Sequence, residues 1–333
     1  MTNFSPLQGI KLAKRGIYNY ITSRPLVVSY EVTLSCNCNC RHCELGGIIK
    51  NEMQLQPDDY ANLTRLLKPP VVQISGGEPL LRKDIVAIVK AIKQSDGLPY
   101  LIFVTNGVLL NESHYLQLHE AGVNQLSVSL DFPDERHDEF RRHRGLYEHL
   151  EQTLPKLAKF GYRDIILNTA ITQANLKDVL PLAKKAMDWN ISISYSAYTA
   201  LRTGNKDYCI NSEEDLNILR QTISELIELK KQTSHVINSK AILLDTLRYF
   251  ERGYMPNCKA AKRFFVVMPD GSFVPCSHRG NKYSTQKEMI EDFSQANQCS
   301  ACYDAIRSYS ERSLSGQLKD VPGYSKRLFA RNA

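Results

Sequence analysis

No stretch of this 333-residue chain approaches the ~20 consecutive apolar residues that a membrane span requires, and no apolar core of a secretory signal follows the N-terminus. The expectation is a cytoplasmic protein. Repeats and low-complexity tracts are missing as well, which excludes a solenoid and a disordered chain. The formal charge is only +7, and no basic stripe interleaved with aromatics occurs, so nucleic acid is not an expected partner. What remains is a chain long enough to bury one large domain and a smaller one.

Cysteine is abundant by contrast. Nine occur, in two groups spanning 36 to 43 and 258 to 302, with Cys209 alone between them. A reducing compartment does not maintain structural disulfides, so this usage argues for metal or redox chemistry. In E-V-T-L-S-C-N-C-N-C-R-H-C, Cys36, Cys40 and Cys43 are spaced x3 then x2 directly after an apolar, β-branched stretch, and Cys38 lies between the first two. Thiolate is the ligand type that selects iron-sulfur clusters, and three ligands leave one iron of a four-iron cluster open to an exogenous group. The alternative is a zinc knuckle built from these three thiols and His42, although adjacent His42 and Cys43 make a strained ligand pair.

From Leu26 the chain alternates strand-like and helix-like segments. The strands are expected at 26–34, 71–75, 100–106, 124–131, 164–172 and 191–196, with helices between them such as 57–68, 83–94 and 111–121. Six β-α units imply a parallel sheet covered by helices, too few to close an eight-stranded barrel. In two strands one face is small and polar: Ser127, Ser129 and Asp131 oppose Leu126, Val128 and Leu130, and Ser192, Ser194 and Ser196 oppose Ile191, Ile193 and Tyr195. Such a face suits a lumen that holds a polar ligand; the bland alternative is serines facing solvent. Residues 6–22 place Leu7, Ile10, Ala13, Ile17, Tyr18 and Ile21 near one helical face, with Lys11, Lys14 and Arg15 elsewhere. That helix is expected to cap the bottom of the barrel, with contact to a membrane surface as the alternative. Residues 211–252 read as one or two amphipathic helices, and Asp270-Gly271 between two apolar runs signals a hairpin.

The triad resembles the signature of the radical S-adenosylmethionine (radical SAM) superfamily, C-x3-C-x2-C in the loop after the first barrel strand. His42 takes the aromatic-type place before the last cysteine, and Cys38 stands where an apolar residue is usual. The resemblance covers roughly residues 26–305 and implies a partial (β/α)6 TIM-like barrel with a small C-terminal α+β domain, in the α/β class. The segments are then 1–25, an amphipathic helix; 26–210, the barrel; 211–253, a helical bridge; 254–305, an auxiliary-cluster domain; and 306–333, a tail. One β-α unit after the triad, I-S-G-G-E-P matches the family motif in which Gly76, Gly77, Glu78 and Pro79 hold the methionyl amino group of SAM. Asn106 ends the third strand as in relatives. Ser129 and Asp131 resemble positions contacting the ribose or carboxylate, Arg141 or Arg142 the carboxylate, and Asn168 the adenosine end. No catalytic acid-base pair is identified, since none is needed for the first step.

Cys258, Cys276, Cys299 and Cys302 resemble the twitch domain, the short form of the SPASM domain, through C-x12-G-x4-C across the hairpin and a following C-x2-C. This implies a second 4Fe-4S cluster with all four sites filled; structural zinc is the rival. Two such clusters with seven thiolates would lower the charge by roughly three units. The resemblance implies an enzyme that reductively cleaves SAM to a 5'-deoxyadenosyl radical and abstracts hydrogen from a small-molecule or lipid substrate, with the second cluster as electron acceptor in a net oxidation. It implies an electron donor such as flavodoxin or ferredoxin. The alternatives are a maturase that crosslinks or epimerises ribosomal peptides, against which no N-terminal winged-helix module is seen, a glycyl-radical activase, disfavoured by the C-terminal cysteines, and a non-catalytic metal-stabilised binding protein. Cys209 is expected to be a buried thiol, with hydrogen donation as the alternative.

Overall fold

The computed structural model describes residues 5–95 and 97–317. In chain order the elements are α1 (Pro6–Ile21), β1 (Val27–Glu31), α2 (Pro57–Leu67), β2 (Val71–Ser75), α3 (Ile85–Gln94), β3 (Tyr100–Thr105), α4 (Glu112–Ala121), β4 (Gln125–Ser129), α5 (Arg136–Arg141), α6 (Leu146–Ala158), β5 (Ile165–Ile171), α7 (Val179–Asp188), β6 (Ser192–Ala197), α8 (Glu213–Gln232), α9 (Lys240–Arg252), β7 (Phe264–Val267), β8 (Phe273–Val274), α10 (Gln286–Met289) and α11 (Ala305–Ser310). This is a mixed α/β fold with a parallel sheet, and its six successive β-α units are those of a partial barrel. Strands are up to four residues shorter than their hydrophobic runs, because the chain turns away at their ends to form the site loops.

The chain forms two compact units. The first holds residues up to Asn39, Leu45–Ser127 and Lys259–Asn297; the second holds Cys40–Glu44, Val128–Cys258 and the residues from Gln298 onward. In the first unit the strand order is β3-β2-β1-β7-β8, parallel except for the β7-β8 hairpin. Val28, Tyr30, Val72, Ile74, Leu101 and Phe103 point to one face and are fully buried, as are Ile88, Val89 and Ile92 of α3. The opposite face carries Ser29, Gln73 and Ser75, joined by Ser29 Oγ to Ser75 Oγ at 3.1 Å and Gln73 Nε2 to Ser29 Oγ at 3.4 Å. The polar face is thus present on β1 and β2 as well as on the two strands where the sequence announced it. Ser127, Ser192 and Ser194 are buried, and Ser129 and Ser196 half-buried, so none of these serines faces bulk solvent.

Local signals were accurate where they depended on neighbours in the chain. Asn111 caps α4 by accepting from His114 N at 2.9 Å, and Gly122 ends it at φ +113°. Asp270-Gly271 turns the hairpin, with Met268 N donating to Ser272 O at 2.8 Å. α1 forms over the expected residues, held in place by polar contacts. Its apolar residues Leu7, Ile10, Tyr18 and Ile21 are exposed, and the helix is anchored through Asn19, whose Nδ2 donates to Pro25 O at 2.8 Å and Lys68 O at 3.0 Å. The attachment of this helix is therefore polar, through Asn19, and its apolar residues face outward. Residues 306–310, read as the start of a tail, belong to α11 and bury Arg307, Ser308 and Ser310; the tail residues 318–333 lie outside the described residues.

In the second unit, β5 and β6 pair in parallel from Ile166↔Ser192 to Ile171↔Ala197, with α7, α8 and α9 around them. Ser212 and Ser239 cap α8 and α9 by accepting from Asp215 N and Ile242 N. No helix among the described residues is long and apolar enough to cross a membrane.

Candidate cofactor and metal site

The cysteine loop begins where β1 ends. Glu52 fixes this start, accepting from Thr33 Oγ1 at 2.5 Å and from Leu34 N at 2.5 Å. Arg82, its side chain 4% exposed, donates to Val32 O and Leu55 O at 3.0 Å while paired with Asp84. Neither residue was picked out by the sequence reading, since each acts through contacts distant in the chain and has no periodic or motif signal.

The G-G-E segment is knitted to the same loop. Gly77 N donates to Thr33 O at 2.7 Å and Glu78 N to Ser35 O at 2.8 Å. A Cβ on Gly76 would stand 2.1 Å from Thr33 O, and one on Gly77 2.1 Å from Ser35 O, so the close approach these glycines permit is to the cysteine-bearing backbone. Glu78 is fully buried; its carboxylate accepts from Leu80 N, Thr105 Oγ1 and Asn106 N at 2.7 to 3.0 Å. Burial pushes its carboxyl up to about 7, against those three bonds. Glu78 therefore locks the ends of β2 and β3 together, and Pro79 opens the buried turn that follows.

Asn106 is placed by that lock. Its Nδ2 lies 3.6 Å from Cys36 Sγ and donates to Asn37 Oδ1 at 2.7 Å, and Cys38 N donates to Cys36 Sγ at 3.5 Å. Cys36 and Cys38 are both buried. N–H donors aimed at sulfur fit a thiolate ligand, whose charge they stabilise.

In the second unit, Asp131 is the centre of a buried polar group. Arg141 holds it from Nε at 2.7 Å and from Nη2 at 2.6 Å, and Arg141 Nη1 reaches to 3.8 Å from Cys40 Sγ. Arg142, the other candidate, is exposed at φ +51°, where it ends α5. Burial pushes Asp131 up, but Arg141 prevails and holds its carboxyl below the usual range. His137 accepts from Asp131 N at 3.2 Å through Nδ1, and burial pushes it down to about 3, so the ring is neutral. His42 stacks on Phe140, with ring centres 4.5 Å apart and planes at 6°, and burial brings it down to about 4. Asn175, fully buried, braces the Asp131 carbonyl at 3.1 Å and was another residue without a sequence signal. Asp131 Oδ1 and His42 Nδ1 are buried without a hydrogen-bond partner. Orphaned polar atoms beside a thiol that an arginine faces fit a bound polar, charged group. Ser129 and Asn168 are half-buried at the ends of β4 and on β5.

Of the second cysteine group, Cys258, Cys299 and Cys302 lie in the second unit and Cys276 in the first. Met255 N donates to Ser300 O at 2.7 Å, and Tyr249 Oη and Thr199 Oγ1 donate to Ala301 O. Arg307 ties the flanking backbones, donating to Met255 O at 2.7 Å, Pro256 O at 2.8 Å and Cys302 O at 2.5 Å. Cys209 is half-buried, and burial pushes its thiol up. That favours the protonated, inert form.

Residues 30–186 match the model of the Radical SAM superfamily. An AdoMet-dependent heme synthase of Methanosarcina barkeri is 29% identical over 196 residues, 56% of this chain and 54% of that protein. A probable GTP 3',8-cyclase of Methanothermobacter thermautotrophicus is 22% identical over 305 residues, 86% of this chain and 96% of that one. The chain spans about half the length of the heme synthases it matches. Among solved structures, Streptococcus suis SuiB bound to precursor peptide SuiA has a TM-score of 0.61 at 17% identity, covering 95% of this chain and 72% of that one, which is a likeness of fold. The thiol loop, the glycine segment knitted to it and the Asp131–Arg141 group all fall within the matched stretch, and this stretch is a radical SAM superfamily domain.

Proposed function

We propose that this chain is a radical SAM enzyme acting on a small-molecule or lipid substrate. The observation that carries the reading is that Cys36 and Cys40, both buried, each face an N–H donor, from Asn106 and Arg141. Cys36, Cys40 and Cys43 would hold a 4Fe-4S cluster, and Asn106, Ser129, Asp131, Arg141 and Asn168 would surround SAM. When bound, reduced cluster and SAM supply a 5'-deoxyadenosyl radical able to take hydrogen from an unactivated C–H bond. The protein's own residues orient and shield. Arg141 favours the thiolate of Cys40, Asp131 fixes Arg141, and Glu78 with the two glycines sets the position of the Cys36 loop.

Cys258, Cys276, Cys299 and Cys302 are proposed to hold a second 4Fe-4S cluster, a fitting electron acceptor for a net oxidation. The names of the heme synthase and GTP cyclase relatives favour a small-molecule substrate. The electron donor would be a flavodoxin or ferredoxin, and the compartment a reducing cytoplasm.

The test is anaerobic reconstitution with SAM and a strong reductant, measuring 5'-deoxyadenosine. Release that disappears in Cys36→Ala/Cys40→Ala/Cys43→Ala is the expected result. Zinc in place of iron, or SAM left intact by iron-loaded protein, would overturn the reading.

A further inference from the structure

The exposed side of α1 is the apolar one. Leu7, Ile10, Lys14, Tyr18 and Ile21 recur at three- and four-residue intervals and share one face. Leu7 is 61% exposed, Ile10 56%, Tyr18 56% and Ile21 70%, although an amphipathic helix of a globular unit ordinarily turns such residues inward. The sequence of α1 contains no acidic residue. Beside it opens a cavity of about 670 Å³ whose lining, among the described residues, includes Lys11, Lys14, Arg15, Arg24 and Lys68 and no carboxylate. Arg24 also stands 5.9 Å from the centre of the Tyr18 ring, at the border between the cationic basin and the apolar stripe.

These features together restrict what can cover the face. An acidic, water-soluble surface would match the cations and leave four large apolar side chains in contact with polar groups. An apolar protein groove would bury the stripe and desolvate lysines without partners. An anionic bilayer surface offers both chemistries in the right order, a phosphate plane over an acyl boundary, and Lys14, within the stripe, reaches the phosphates by extending its chain outward.

We propose that α1 and its basin form a docking site for an anionic phospholipid surface, with headgroup phosphates in the basin and Leu7, Ile10, Tyr18 and Ile21 in the acyl boundary. The inference stands independently of the radical chemistry. A lysine near an anionic surface changes the partition about fivefold, so removing two changes it about thirtyfold.

The experiment is flotation of the full-length protein with vesicles of phosphatidylcholine alone or mixed with phosphatidylglycerol, at low and high salt. Binding to the mixed vesicles, weakened by salt, is expected. It should fall about thirtyfold in Lys11→Gln/Lys14→Gln and disappear in Ile10→Asp/Ile21→Asp, with melting temperatures unchanged because all four positions are exposed. Failure of the unaltered protein to float with the mixed vesicles would overturn the proposal, as would binding indifferent to the lysine changes. Concentration-dependent dimerisation that Ile10→Asp abolishes, without vesicle binding, would assign the face to a second copy and also overturn it.

Discussion

Arg307→Met removes a fully buried guanidinium that holds three backbone carbonyls and Glu311. Two of the carbonyls precede Cys258 by two and three residues and the third belongs to Cys302, so the arginine joins the two cysteine-bearing segments of the second unit. Each orphaned buried acceptor costs about 1–3 kcal/mol, and loss of one partner of a buried ion pair about 3–5 kcal/mol. These overlap at one site and do not add, so the expected loss is about 3–6 kcal/mol. In a chain of this size that corresponds to a fall in melting temperature of roughly 5–10 °C. A lysine cannot restore the planar fork, so Arg307→Lys should recover only a minor part. The assay is a thermal scan together with iron per chain, in a Cys36→Ala/Cys40→Ala/Cys43→Ala background so that iron reports only the second cysteine group. The variant should melt early and lose the iron that the second cysteine group is proposed to hold. A melting temperature within about 1 °C of the parent, with iron retained, would refute the assignment of Arg307 as the brace of these segments.

Gly77→Ala must displace the Ser35 carbonyl, 2.1 Å from the added carbon, and should lower both the melting temperature and the iron that the first triad is proposed to hold; an unchanged melting temperature would contradict the packing described. Asp131→Asn keeps the shape but leaves the Arg141 charge buried without its carboxylate, and a loss of about 3–5 kcal/mol is expected from urea midpoints, partly recovered when Arg141→Met is added. Burial pushes Asp270 up, yet Lys282 and Ser272 bring it down to about 2, so its contribution is complete above the unfolded value near 3.9 and disappears as pH falls toward 2. Lys282 is 55% exposed, which limits the effect of Lys282→Met to about 0.5–1 kcal/mol at neutral pH, and melting curves of parent and variant should converge at the acid end.

What the sequence disclosed was whatever is written in near neighbours. The cap at Asn111, the stop at Gly122 and the turn at Asp270-Gly271 depend on residues within three or four positions, and the cysteine spacing is likewise local. Glu52, Arg82, Asn175 and Arg307 were silent because each is an isolated polar residue whose role arises only when distant backbone is brought to it. Periodicity located the apolar stripe of α1 but not its direction, since the angle between residues is the same whether a stripe faces the core or solvent. The choice between Arg141 and Arg142 was equally hidden. Adjacent residues at a helix end differ by about 100° in direction, and only the folded α5 shows that Arg141 turns toward Asp131.

The parallel pairing of β1 with β7 couples residues far apart in the chain, Val27 with Phe264. During translation, β1 can meet β2 within seconds, yet its other edge has no strand beside it until the ribosome has made residues 264–267. At about 5–20 residues per second, that interval is roughly 10–50 s. An uncovered edge bearing Val27, Val28 and Tyr30 invites pairing with other nascent chains for that whole time. Yield in a heterologous host should therefore depend on temperature and chaperone supply during synthesis more than on the stability of the finished protein, because the vulnerable species is the chain that has not yet received its seventh strand.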